Sequence, residues 1–148
     1  MARAQILDTT VLIRATRDPS IWDELFHSIE SGRVWLSSVV IAELYAGTRS
    51  REDSQLVSRI FEAMHRIDRV LTPTSGDWVR AGRMINRRIR LHGDLRPRDH
   101  LADVLILLSA ARLNGAVVTA SLGHFAAWAS LARDAGLDVA VSAFGNGS

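Results

Sequence analysis

Short apolar runs alternate along this chain with longer segments of helical period, and this alternation is the feature that most constrains the fold. Near-continuous apolar runs are typical of strands that are buried on both faces of a sheet. The segments between them repeat their apolar residues at helical spacing. The pattern predicts an α/β domain of three layers, in which helices flank a mainly parallel central sheet of about five strands. The predicted strands are 5–7, 34–36, 116–119 and 138–141, with a weaker run at 69–72.

Capping residues set the expected ends of the helices. Ser38 is expected to cap a helix over 39–46 that Gly47 ends, and Gly32 is expected to end a helix over 20–31. The last predicted helix begins at Asp99 or a neighbour and ends at Asn114 and Gly115. Three further helices are predicted: one that starts near Thr10, one over 52–65 and a long one over 75–92.

The chain has 148 residues, a length that suits one domain. We predict a domain over 1–142 and a flexible tail over 143–148. The first apolar run ends at Asp8 and is too short for a signal peptide. The longest apolar stretch, 101–111, contains an aspartate and falls far short of the ~20 residues that a membrane span needs. These features predict a soluble cytoplasmic protein that has no membrane contact.

The absence of two residue types excludes several kinds of chemistry. All 18 basic residues are arginine, so a Schiff-base lysine and a lysine-containing phosphate loop are excluded. The chain also has no cysteine, which excludes a thiol nucleophile, an iron–sulfur cluster and disulfides. The formal net charge is only +2, so any contact with nucleic acid depends on local clusters of arginine.

Three carboxylates lie in apolar surroundings, where an ionised group is costly unless a cation compensates it. Asp8 ends the first strand, Glu43 is the lone charge in 39–46, and Asp103 is the lone charge in 101–108. Each also has a structural explanation: Asp8 as a helix cap, Asp103 as a first-turn acid, and Glu43 as a helix-edge residue that reaches water. Taken together they favour a site for Mg²⁺ or Mn²⁺ and hydrolysis of a phosphodiester.

Three segments that occur in order resemble the motifs of PIN-domain ribonucleases, and in particular those of VapC-type toxins of bacterial toxin–antitoxin pairs. The segments are 6–13, 37–47 and 103–119, and the similarity covers almost the whole chain. The resemblance implies that Asp8, Glu43 and Asp103 bind the metal and that the Thr10 hydroxyl supports the site. It also implies an endoribonuclease that acts on RNA, a cognate antitoxin partner and a homodimer.

The chain departs from that family after Thr119. Ser121 and His124 stand where the family usually has acidic or amide side chains, which puts a second metal ion in doubt. Ser121 and His124 remain accessory candidates, the first toward water and the second toward phosphate, although His124 also suits a plain loop position. Asp99, one helical turn before Asp103, is either a replacement carboxylate or a helix cap.

Arginines concentrate in one part of the chain. Seven lie between residues 80 and 98, where Asp94 is the single acid. On a helix, four of them form a stripe opposite Trp78, Ile85 and Ile89, which is typical of either a solvated face or a contact with phosphates. We predict RNA contacts for Arg87, Arg90, Arg96 and Arg98.

Other interpretations stay open at this stage. The four tryptophans are expected to pack rather than stack on bases, and 39–64 resembles the antitoxin-binding region of VapC-type toxins but equally suits a core. Ser121 and His124 favour one alternative function, a degenerate PIN domain that binds RNA or protein without cutting it. A phosphatase with an aspartate nucleophile is disfavoured, because Thr10 replaces its second aspartate and the chain has no lysine.

Overall fold

A computed structural model describes residues 3–144, which form five parallel strands and seven helices. The strands are β1 Gln5–Leu7, β2 Val34–Ser37, β3 Val70–Leu71, β4 Ala116–Thr119 and β5 Ala140–Ala143. The helices are α1 Thr9–Arg17, α2 Pro19–Glu30, α3 Ser38–Ala46, α4 Arg51–Arg66, α5 Ser75–His92, α6 Pro97–Arg112 and α7 Leu122–Asp134.

The sheet has the strand order β3-β2-β1-β4-β5, so the first strand of the chain lies at its centre. Gln5 is in register with Val34 of β2 on one side and with Ala116 of β4 on the other. From β1 the chain continues to β2 and β3 on one side of the sheet, and it then crosses back to β4 and β5 on the other side. Right-handed crossovers in these two directions place α1–α4 on one face and α5–α7 on the other. The predicted three-layer α/β/α architecture is confirmed.

The core lies on both sides of β1 and β4, and α6 is its most buried helix. All eight residues from Val104 to Ala111 are buried, as the apolar sequence of this helix indicates. The turn after α6 brings the chain close to β1. A Cβ atom on Gly115 would lie 2.5 Å from the carbonyl oxygen of Ala4, so this position requires glycine.

Several predicted boundaries differ from the observed ones, and four of the differences bear on the site. Helix α3 begins at Ser38, and the side chain of Ser37 caps it by accepting the amide of Val39. Strand β5 begins at Ala140, two residues later than predicted. Helix α6 begins at Pro97, and no side-chain hydrogen bond caps it. The segment after Thr119 was treated as a loop, but it forms α7 from Leu122 onward.

The predicted tail over 143–148 begins within the ordered structure. Ala143 is the last residue of β5, and the amide of Phe144 donates to the carbonyl oxygen of Thr119. Phe144 also packs against the core. The rest of the predicted tail, 145–148, lies outside the described residues.

The apolar residues of segment 39–64 and the tryptophans divide between the core and the solvent. Leu44 and Ile60, which the sequence left open as antitoxin-binding or core residues, are buried in the core, whereas Tyr45 is exposed. Trp128 is fully buried, but Trp78 is half exposed, contrary to its predicted packing role. Within residues 3–144, no helix combines the length and apolar character that a bilayer span requires.

Candidate functional site

Asp8 is buried at the carboxyl end of β1, where it accepts hydrogen bonds from α1 and from β4. It caps α1, where its Oδ1 accepts from the Thr10 amide at 2.8 Å, the Thr10 hydroxyl at 2.5 Å and the Val11 amide at 3.3 Å. Its Oδ2 accepts from the Thr119 hydroxyl of β4 at 2.7 Å. The role of Asp8 as a helix cap is therefore compatible with a role in a ligand site. An Oδ2 lone pair remains for a further ligand, because a carboxylate has about four acceptor positions.

Glu43 lies on the exposed side of α3 and is held by a residue of α1. The Thr9 hydroxyl donates to its Oε1 at 2.6 Å. Burial of the carboxyl group raises the pKa of Glu43 above its ordinary value, and the negative charges of Asp103 and Asp8 raise it further, while the Thr9 hydrogen bond opposes the shift. The negative charges of Asp103 and Asp8 therefore act on Glu43, although burial of its carboxyl group is the larger cause of the shift.

Asp103 lies in the second turn of α6 and contacts α7. Its Oδ2 is 2.7 Å from Nε2 of His124, and an ionised carboxylate only accepts, so the imidazole donates. The Asp103 side chain is 29% exposed. The first-turn explanation for Asp103 was wrong, because the acid in the first turn of α6 is Asp99. The loop assignment of His124 was also wrong, since this residue lies in the first turn of α7.

The packing of three helices explains why these carboxylates meet. α1 contacts α3, α3 contacts α6, and α6 contacts β1. In a parallel sheet, the carboxyl ends of the strands lie at one edge, where Asp8 follows β1 and α3 begins directly after β2. The structure therefore brings together three acids that lie 35 and 60 residues apart in the sequence.

The accessory candidates are arranged differently. The amide of Ser121 donates to the Thr119 hydroxyl at 2.8 Å, which places Ser121 next to the partner of Asp8. The Ser121 side chain itself makes no capping hydrogen bond to α7. Asp99 is exposed, and its side chain does not cap α6.

The predicted RNA-binding arginines are all exposed, but they have no hydrogen bond to the three carboxylates within residues 3–144. Arg87 and Arg90 lie on the outer face of α5, and Arg96 and Arg98 lie at the start of α6. Arg88 differs from its neighbours in sequence, because its guanidinium group stacks 4.6 Å from the ring centre of Trp128.

The donor set suits a hard divalent cation by its chemistry. Asp8, Glu43 and Asp103 supply only oxygen ligands, and their mutual repulsion is the imbalance that such a cation relieves. The side chains are not closed around an ion. In the part of the chain that the structure describes, no three acidic or histidine side chains have the mutual spacing of a metal site. The residues fit the ion in type and charge, and their carboxylates would have to move closer together to bind it.

The comparisons with known proteins give the family. The model of the PIN domain matches residues 6–127, and the chain belongs to this family. The predicted resemblance is therefore confirmed at the level of the family. No curated protein matches the chain.

Solved structures share the fold at low sequence identity. One is the DNA-bound VapBC from Salmonella typhimurium, with 18% identity, a TM-score of 0.64, and coverage of 97% of this chain and 98% of that chain. Another is FitAcB from Neisseria gonorrhoeae, with 24% identity, a TM-score of 0.62, and coverage of 93% and 96%. A third is FitAB bound to an IR36 DNA fragment, with 20% identity, a TM-score of 0.63, and coverage of 94% of each chain.

Two hydroxyl groups at this site were not singled out from the sequence. Thr9 holds Glu43, and Thr119 holds Asp8, whereas the resemblance indicated only Thr10. A signal for Thr119 existed, because it ends a predicted strand, and the carboxyl ends of parallel strands lie at one edge of the sheet. No signal in the sequence indicates that Thr9 reaches Glu43, since this contact depends on how α1 packs against α3.

Proposed function

We propose that this protein is an endoribonuclease that depends on Mg²⁺ or Mn²⁺ and is the toxin of a toxin–antitoxin pair. The observation that carries the proposal is the placement of Asp8, Glu43 and Asp103 on elements that contact one another: Asp8 lies between β1 and α1, Glu43 lies on α3, and Asp103 lies on α6. Membership of the PIN domain family supports it.

Each carboxylate has a distinct part in the proposed reaction. Asp8 is fixed by four hydrogen bonds and provides the least mobile oxygen, while Glu43 and Asp103 each keep one oxygen that makes no hydrogen bond within the described residues. These three residues would hold the cation, which would lower the pKa of a water molecule and neutralise charge on the phosphoryl group. Thr9, Thr10 and Thr119 orient the carboxylates by donating to them.

The arginine-rich stretch provides the attraction for RNA that an acidic site lacks. Arg87 and Arg90 are exposed on α5, which packs along α6, the helix that carries Asp103. Arg96 and Arg98 lie at the start of α6 and precede Asp103 in the sequence. Their contacts with phosphates would offset the repulsion between the carboxylates and the RNA backbone.

The toxin assignment rests on the solved structures that share the fold. Their names describe VapBC and FitAB assemblies bound to DNA. This chain resembles the VapC component of such assemblies in three ordered motifs, so we expect a cognate antitoxin and a homodimer in the cytoplasm.

Cleavage of RNA tests the proposal directly. Purified protein is incubated with labelled total tRNA and ribosomal RNA in Mg²⁺, in Mn²⁺ and in EDTA, next to the Asp103→Asn and Asp8→Asn variants. We expect discrete fragments that need metal, and a loss of roughly 100-fold or more in rate for both variants. Asp134→Asn, an exposed acid at the end of α7, is the matched control and is expected to cleave like the wild type. Equal fragments from the wild type and a folded Asp8→Asn protein would contradict the proposal.

A second candidate function is a PIN domain that binds RNA without cutting it. The hydrogen bond between His124 and Asp103 favours this candidate, because it occupies one oxygen of a proposed metal ligand. Calorimetry with Mn²⁺ separates the two functions. Binding of RNA with no heat of metal binding and no fragments would support the second candidate.

A further inference from the structure

Three rings from α6 and α7 lie in a row that ends at Asp103. We call this row the aromatic column, and it consists of His124, His100 and Trp128; the two histidine rings are 29° from parallel, and the His100 and Trp128 rings are tilted by 53°. The ring centres of His124 and His100 are 6.0 Å apart, and those of His100 and Trp128 are 5.5 Å apart. The end of the column at Trp128 is fully buried, so it provides a fixed base for the two histidine rings.

Contacts on the sides of the aromatic column restrict it further. The Arg88 guanidinium covers the Trp128 ring at 4.6 Å, and the edge of His124 meets Phe125 with ring centres 5.7 Å apart. Phe125 is also buried. A ring that is packed in this way has few alternative rotamers, although the outer side of His124 remains exposed to solvent.

The exposed end of the aromatic column makes a single polar contact. His124 Nε2 donates to Asp103 Oδ2 at 2.7 Å. The other oxygen, Oδ1, makes no hydrogen bond within residues 3–144 and is left for a ligand. Of the three carboxylates, Asp103 is the one whose only hydrogen bond within that part of the chain comes from a ring.

We propose that His124 is a positioning residue, which holds Asp103 through Oδ2 so that Oδ1 binds the divalent cation. This inference rests on the proposed function and deepens it. The aromatic column supplies the rigidity, and the imidazole N–H supplies the direction. Hydrogen bonds to a metal-binding carboxylate fix its orientation before the metal arrives, and losing them typically lowers metal affinity by about 10- to 100-fold.

Two substitutions of His124 separate the hydrogen bond from the stacking. His124→Phe keeps a ring against His100 but removes the donor, while His124→Gln keeps an N–H donor and removes the ring. We expect Mn²⁺ affinity, measured by calorimetry, to fall about 10-fold or more in His124→Phe and to fall less in His124→Gln, which keeps a donor but loses the packing of the ring. Equal affinity of His124→Phe and the wild type would overturn the inference.

A double-mutant cycle shows whether His124 acts through Asp103. In the Asp103→Asn background, we expect His124→Phe to change Mn²⁺ affinity by less than about 2-fold, since the group that it positions is already altered. An unchanged 10-fold effect in that background would mean that His124 binds the ion itself, which also overturns a positioning role.

The same titrations distinguish the inference from the proposed function. If the folded wild type takes up no Mn²⁺ at millimolar concentration, the proposed metal-dependent function fails and the positioning role fails with it. If the wild type binds Mn²⁺ and His124→Phe binds it equally well, only the positioning role fails.

Discussion

Asp8 and Asp103 lie at the same edge of the sheet, but the protein holds them in contrasting ways. Asp8 is 3% exposed and accepts four hydrogen bonds from α1 and β4. The Asp103 side chain is 29% exposed and accepts one hydrogen bond, from a histidine. One side of the site is therefore fixed by a dense set of donors, whereas the other is fixed by the packing of rings.

The groups around the two acids also differ in how completely they are hydrogen-bonded. The amide and hydroxyl groups around Asp8 all have partners, including Ser121, whose amide donates to Thr119. Behind His124, in contrast, three buried nitrogens have no hydrogen-bond partner, and no other such side-chain atom occurs in residues 3–144: Arg88 Nε, His100 Nδ1 and Trp128 Nε1. Unpaired buried nitrogens are costly, so the packing on this side of the site contributes less to stability than the hydrogen bonds around Asp8.

The largest effect is expected from removing each acid in turn. Asp8→Ala removes the cap of α1 and leaves the O–H of the buried Thr119 without an acceptor, so we expect it to lower the free energy of unfolding by about 3 kcal/mol. Asp103→Ala should change that free energy by less than about 1 kcal/mol, because the carboxylate is partly exposed and has one partner. Urea unfolding of both variants without metal measures the difference. Equal losses for the two would remove the contrast between the two sides.

A smaller effect is expected when the donors are changed instead of the acids. Thr119→Val keeps the shape of the side chain and removes the hydroxyl that serves both Asp8 and Ser121, which should lower stability by about 2 kcal/mol. His100→Phe keeps a ring in the aromatic column and removes an unpaired nitrogen, so we expect no loss and a gain of up to about 1 kcal/mol. Thermal unfolding compares the two variants, and a clear loss of stability in His100→Phe would contradict the picture of an unsatisfied column.

The smallest effect concerns Glu43, an exposed residue of α3 whose carboxyl group is partly buried. Its pKa is raised in the folded protein, mainly by burial of the carboxyl group and then by Asp103 and Asp8, so the folded state binds the proton more tightly than the unfolded state. Stability should therefore fall as the pH rises from the unfolded value near 4.5 through the folded pKa. In Glu43→Gln, this part of the pH dependence should be absent.

Urea midpoints measured between pH 4 and 8 at constant salt (roughly the range over which carboxyl groups with raised pKa titrate) test this sign. Glu62→Gln, an exposed acid on α4, controls for the loss of one negative charge. Identical pH profiles for Glu43→Gln and the wild type would show that folding does not raise the pKa of Glu43.

The sequence predicted the strands and helices that are specified by the residues within them. The apolar runs at β1 and β4 have the observed bounds, because continuous burial on both faces leaves a continuous apolar sequence. The run at β5 was placed too early, because Val139 is buried although it precedes the strand. Helix α7 was missed although Ser121 stands at its N-cap position, because Gly123 in the first turn weakens the helical pattern.

Some features of the candidate site were also predictable from the sequence, and others were not. The three acids were recognisable because each interrupts an apolar segment, a property of the sequence alone. The contacts of Thr9 with Glu43 and of His124 with Asp103 were not, because each joins two helices whose packing the sequence does not specify. The assigned roles of the acids and of the arginines remain predictions.

The hydrogen bond between Asp8 and Thr119 joins residues that lie 111 positions apart. β1 also needs β4 as one of its two neighbours in the sheet, so the pocket around Asp8 cannot form early in synthesis. A ribosome adds residues at about 5 to 20 per second, and domains fold as their chain emerges. The growing chain therefore holds its acids apart until α6 and β4 have left the exit tunnel. A nascent chain or a truncated fragment that stops before residue 119 lacks the assembled pocket, so the timing of assembly is set by the order of the strands.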